Sequence, residues 1–235
     1  MAQLTAMPAV SIDHNELAAF GKTWTQSKGA LSRTPPYSSG QLGNLFDAAV
    51  GEALATMLGG IPIAVPNANA LVASQADCVE VGPVRVVGGV RPQNFDVGYR
   101  PDGLRFAFDS KTLNGSKSIG KNWQNMINDL ATEATTVHSR FPYAVVAFMV
   151  VLPKPAVGAQ LSAILGTLER LGGRVLVDEP EHRAEAMSLV LWDPSTGAID
   201  PVVPDPSSPL RIERFSQDVE QNYTARYKGL PPHAQ

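Results

Sequence analysis

The chain has 235 residues, 44% hydrophobic and 17% charged, with a net charge of −3, which is enough for one sizeable core and too little for two comfortable ones. That balance excludes a protein that coats nucleic acid along its length, though not an enzyme that engages it locally. The longest apolar run, residues 143–152, is about half a membrane span, so no transmembrane helix is expected. Residues 1–10 lack the basic start and long apolar stretch of a secretory leader, and Cys78 is the single cysteine. An intrachain disulfide is therefore ruled out, and a reducing cytoplasm fits best.

In chain order, residues 1–40 form a polar extension, with a helical segment over 13–28 and then the breaker-rich LSRTPPYSSG. Residues 41–58 predict an amphipathic helix: Leu42, Leu45, Phe46, Ala49, Val50, Ala53, Leu54 and Met57 recur at helical spacing, and Gly59-Gly60 close it. Glu52 lies at the border of that stripe. Residues 61–90, with Gly, Pro, Asn and short valine-rich pieces, predict a strand or two.

Residues 94–111 predict two strands about Asp102-Gly103, a strong hairpin signal because a type I′ turn needs positive φ at both central positions. Phe95, Val97 and Tyr99 alternate with Asp96 and Gly98 on one strand; Phe106 and Phe108 alternate with Ala107 and Asp109 on the other. A two-residue loop sets Asp96 opposite Asp109, and a four-residue loop sets it diagonal to Asp109. In either register the two carboxylates share a face with Lys111, while the aromatic residues turn the other way into a core.

The polar loop TLNGSKSIG then leads into a helix over 121–138 with Trp123, Met126, Ile127, Leu130, Ala131, Ala134 and Val137 as its buried stripe. Lys117, Ser118 and the amides of the helix start, with Lys121 and Gln124 beside them, suit phosphate oxygens. Residues 143–152 are apolar throughout and rich in β-branched side chains, which predicts a central strand buried on both faces. A helix over 160–171, strands over 174–178 and 187–192, and a final helix over 211–228 complete the expected elements. The expected organisation is an extension (1–40), a core domain (41–193), and a proline-rich connection with a terminal helix (194–235).

Two carboxylates side by side raise each other's pKa unless a cation lies between them, and Mg²⁺ favours such oxygens. A lysine beside that ion can orient an attacking hydroxide and offset charge developing on a phosphate. Phosphodiester hydrolysis is thus the chemistry expected of Asp96, Asp109 and Lys111. Charge is distributed accordingly: residues 83–121 hold seven basic and three acidic side chains, whereas 178–220 hold ten acids and three arginines.

Asp96, followed thirteen residues later by Asp109-Ser110-Lys111, resembles the catalytic signature of the PD-(D/E)XK nuclease superfamily, to which most type II restriction endonucleases belong. The resemblance covers residues 41–152 and departs at Phe95, where the family pattern has proline; Asp102 does follow a proline but lies at the turn tip. It implies an α/β, restriction-endonuclease-like core, a mixed β-sheet with helices on both faces. It further implies a DNA endonuclease dependent on Mg²⁺, with Mn²⁺ as a substitute. Asp96, Asp109, the Ser110 carbonyl and Glu52 on the preceding helix would hold the metal, and Lys111 would position the water. In-line attack leaving a 5′-phosphate, and a homodimer that cuts both strands, belong to the same implication.

Two other readings compete. Residues 115–121, GSKSIGK, match the spacing of a phosphate-cradling P-loop. There, however, Asn122 stands where a Mg²⁺-binding hydroxyl is needed, and polar residues separate Gly115 from the strand. The third reading is a non-catalytic α/β binding protein whose acidic hairpin is a charged sheet face.

Overall fold

The computed structural model describes residues 3–117 and 119–233. Its six strands form one mixed sheet whose spatial order follows the sequence: β1 (Ile63–Ala64), β2 (Val79–Val87), β3 (Pro92–Tyr99), β4 (Phe106–Thr112), β5 (Val145–Pro153) and β6 (Ala186–Trp192). β2, β3 and β4 form an antiparallel meander, while β1 lies parallel to β2, β5 to β4, and β6 to β5. Parallel neighbours need long crossovers. Here residues 65–78 join β1 to β2, α3 (Ile119–His138) joins β4 to β5, and a short helix α4 (Lys154–Val157) with α5 (Leu161–Leu171) joins β5 to β6. The remaining helices are α1 (His14–Gln26), α2 (Ser39–Met57) and α6 (Ile212–Tyr227). Among the described residues no helix is long and apolar enough to cross a membrane.

Helices cover both faces of the sheet. On one, Leu42, Phe46 and Val50 of α2 and Phe215 and Tyr223 of α6 pack with Val97, Tyr99, Phe106 and Phe108. On the other, Ile127, Leu130 and Ala134 of α3 and Ile164 and Leu168 of α5 pack with Ala107, Val146 and Phe148. β5 and β6 are buried at every residue, which is why β5 is an unbroken apolar run and β6 is interrupted by Ser188 alone, whose hydroxyl donates to the Leu210 carbonyl at 3.2 Å. Ser38 caps α2 by accepting from the Gln41 amide at 3.3 Å. The residues before 41 and after 193 are built into the α2-side core: Met7, Val10, Leu17 and Phe20 are buried there, and the Met7 amide donates to Glu220 of α6 at 2.9 Å.

The structure departs from the sequence reading at two strands. No strand forms over 174–178. Arg174 is drawn fully inside to meet Glu185 at 2.5 Å, leaving Val175 and Leu176 exposed. Asp102-Gly103 is not a two-residue turn either. The β3–β4 connection spans residues 100–105, with Asp102 paired to Arg105 and the Arg105 amide donating to the Tyr99 carbonyl at 2.9 Å. Tyr99 pairs with Phe106 and Val97 with Phe108, so the longer loop keeps the register in which Asp96 comes next to Asp109.

Candidate active site

The β3–β4 ladder ends at Val97 and Phe108, one residue before the two aspartates. There the Ser110 amide donates to the Asp96 carboxylate at 3.0 Å, so a side chain replaces the strand carbonyl that the diverging ladder no longer offers. Phe95 packs in the α3-side core and Val97 in the α2-side core, so alternation breaks at Asp96. The expected single aromatic face is thus corrected: Phe95 lies opposite Val97 and Tyr99. In consequence the Asp96 carboxyl occupies the seam between strands, within hydrogen-bonding reach of Asp109.

On the α3 face, Lys111 Nζ bridges Asp109 and Glu133, the latter at 2.8 Å. Glu133 is buried on α3, inside the stripe that packs on the sheet. On the α2 face, the Ser110 hydroxyl lies 3.5 Å from Asp96 and also hydrogen-bonds the buried Asp47 of α2. Gly43 and Gly51 flank Asp47 at spacings of four, and both are in close contact: a Cβ at Gly43 would lie 3.1 Å from Ser110 Oγ, and one at Gly51 would lie 2.4 Å from Val81. Small residues on this helix face press Asp47 onto the sheet.

The electrostatics follow from this crowding. Burial, with the neighbouring Asp96 charge, pushes Asp47 up to about 8. Burial and the Asp109 carboxyl push Asp96 up to about 7. Burial also raises Asp109, to about 6, because the Lys111 charge only partly offsets it. Burial acts to lower Lys111, but Asp109 and Glu133 outweigh it and hold the ammonium above its ordinary range. The result is a cluster in which one lysine serves four carboxylates, while Asp47 Oδ1 and Glu133 Oε2 are buried without a hydrogen-bond partner.

Among the described residues no group of three or more His, Cys, Asp or Glu side chains is arranged to hold a metal ion. Mg²⁺, however, is commonly held by one or two carboxylates, with waters and substrate phosphates completing its shell. Asp96 and Asp109 are two such carboxylates side by side, and the buried Asp47 oxygen that lacks a hydrogen-bond partner lies on the α2 side of them; burial, first of all, disfavours each as an anion.

Glu52 requires correction. It is exposed and makes no contribution to the cluster, because five residues along α2 turn it about 140° from Asp47. Asp47 holds the helix position expected of Glu52. The sequence did carry a signal, an acid midway between two glycines at spacings of four. Glu133 was missed as well, and its mark is an acid within the apolar stripe of α3.

Beside Lys111 opens a cleft of about 420 Å³ lined by Ser110, Lys111 and Thr112 of β4 and by Asn122, Asn125 and Asp129 of α3. The candidate phosphate ligands Lys117, Lys121 and Gln124 are exposed and do not line it, and Ser118 lies outside the described residues. Of the seven basic residues between 83 and 121, Arg100 and Arg105 are spent in ion pairs with Glu80 and Asp102 at the opposite end of β3 and β4. No family model, no curated protein and no solved structure matches this chain.

Proposed function

We propose that the chain is a Mg²⁺-dependent endonuclease that hydrolyses DNA phosphodiester bonds in the cytoplasm on a restriction-endonuclease-like core. The observation that carries this reading is the convergence of Asp96, Asp109 and Lys111 from adjacent strands, with Lys111 also lining a cleft beside them. The order helix, three-strand meander, helix, buried parallel strand in α2 to β5 supports the same reading.

Asp96 and Asp109 would hold Mg²⁺ with the Ser110 carbonyl, and Asp47 would support them from α2 in the place first expected of Glu52. Bound there, the ion supplies charge against the phosphate and lowers the pKa of water. Lys111, clamped by Asp109 and Glu133, stays protonated at neutral pH. It therefore acts as a fixed cation that orients the attacking oxygen and offsets charge on the scissile group, not as the base. Asn122 and Asn125 offer neutral donors along the cleft, and Lys117 and Lys121 place positive charge on the surface at this end of the sheet. Cutting both strands of a duplex needs two such sites, which a second copy of the chain supplies.

The test is incubation of the purified protein with several plasmids and Mg²⁺. Discrete fragments are expected of a sequence-specific enzyme and a smear of a nonspecific one, with EDTA stopping either and Mg²⁺ restoring it. Intact plasmids under all conditions, or cutting that persists in EDTA, would overturn the proposal.

A further inference from the structure

We propose that a second cavity, at the other end of the β3–β4 pair, binds a small organic molecule with an apolar body and one anionic group. The cavity measures about 720 Å³ and is walled by Val86, Leu104 and Phe141, by the loop bearing Leu71 and Val72, and by the chain end at Pro231. Its volume is that of a small-molecule site. Leu104 begins the approach to β4 and Lys111 lies near its end, so roughly 20 Å of strand separates this cavity from the acidic cluster. The inference does not rest on the nuclease reading.

Two features point to the ligand. First, Leu71 and Val72 at the mouth are 61% and 73% exposed, an apolar surface that an apolar body would cover. Second, the arginines around this end of the sheet differ in what they meet. Arg100 pairs with Glu80, Arg105 with Asp102, and Arg174 and Arg226 with Glu185. Arg85 and Arg140, which line the cavity, have no carboxylate at ion-pair distance among the described residues. Arg85 makes one long hydrogen bond, 3.5 Å to Asn94. Arg140 donates to the Val87 carbonyl at 2.8 Å and lies 5.4 Å from the Phe141 ring centre.

Of the acids on the wall, Asp102 is taken by Arg105, and Asp77 accepts from the Tyr99 hydroxyl at 2.6 Å. The lining thus holds two guanidinium groups without an ion pair and one carboxylate without an arginine, a charge balance that a single added anion closes. A guanidinium next to an apolar wall prefers an acid group to water when the rest of the ligand excludes solvent.

The probe is 1-anilinonaphthalene-8-sulfonate, an aromatic monoanion, with the uncharged N-phenyl-1-naphthylamine beside it. Both should bind the full chain at one equivalent. The double variant Arg85→Gln/Arg140→Gln should weaken the sulfonate about tenfold or more, as loss of charge-assisted bonds requires, and leave the uncharged probe unchanged. Ala73→Trp, which fills the cavity, should weaken both. Competition with decanoate and with deoxyadenosine monophosphate separates a fatty-acid-like ligand from a nucleotide-like one, and displacement by either supports the site. Equal sulfonate affinity in the double variant, unchanged binding in Ala73→Trp, or displacement by neither competitor would overturn it.

Discussion

Glu185 and Asp109 are both almost fully buried acids of this sheet, yet their surroundings are opposites. Glu185 meets Arg174 at 2.5 Å, Arg226 at 2.9 Å, His138 at 3.2 Å and the Val146 amide at 2.7 Å. Burial works to raise its pKa, but those donors, His138 first, outweigh it and the carboxyl is held low. Asp109 and its neighbours Asp96 and Asp47 share Lys111 and are all held high. A buried acid surrounded by donors is costly to remove because its partners are left charged and unpaired, whereas buried acids held high in one cluster are the mark of a candidate functional site.

The sharpest way to break this contrast is to remove one member of each cluster. Lys111→Ala and Asp109→Ala should each lower DNA cleavage by about a hundredfold to a thousandfold, with urea unfolding close to that of the parent chain. Glu185→Ala should do the reverse, costing about 3–5 kcal/mol by leaving Arg174 and Arg226 buried and unpaired, while cleavage per folded molecule is kept. Full cleavage by Lys111→Ala would make the two clusters equivalent and sink the catalytic assignment.

Glu133→Gln sharpens the role of the lysine. Glu133 helps hold the ammonium protonated, so the variant should move the alkaline limb of the pH–rate profile to lower pH and reduce the rate about tenfold, the equivalent of roughly 1.4 kcal/mol of lost positioning. An unmoved alkaline limb would assign Glu133 to packing alone.

Stability against pH separates the clusters by sign. Asp47, Asp96 and Asp109 have folded-state values of about 8, 7 and 6, above the ordinary 3.8. Their contribution is present below that ordinary value and is lost as pH rises through about 6 to 8. The depressed Glu185 contributes above its ordinary 4.5 and loses that contribution as acid is added. Without divalent cation the melting temperature should therefore fall by several degrees from about pH 5 to pH 9, at roughly 2–4 °C per kcal/mol. Mg²⁺ should restore it chiefly above pH 7, and Asp47→Asn should reduce the slope. A flat profile in EDTA would contradict the proposed charge deficit. The smallest effect is expected of the exposed Lys117, whose replacement by alanine should reduce the salt slope of DNA binding by roughly 1.

Periodicity made α2, α3, α5 and the buried strand β5 legible, because a helix face or a two-sided core imposes its spacing on residues close in sequence. The nearness of Asp96, Asp109 and Lys111 was legible for the same local reason, since one hairpin register brings them together, though the shared face expected of Asp96 was not. Asp47 and Glu133 were not. Each comes from a helix remote in sequence, and only the packing of α2 and α3 on opposite faces of the sheet brings an acid to either side of β4. The apolar patterning by itself determined a mixed sheet between helices and a hairpin bearing acids and a lysine. Tertiary structure alone decided that Asp47 rather than Glu52 faces the sheet, that Asp96 stands at the seam, and that Arg85 and Arg140 are left without acids. Side-chain partners across layers depend on the rotation and depth of each helix, and spacing along the chain does not encode either quantity.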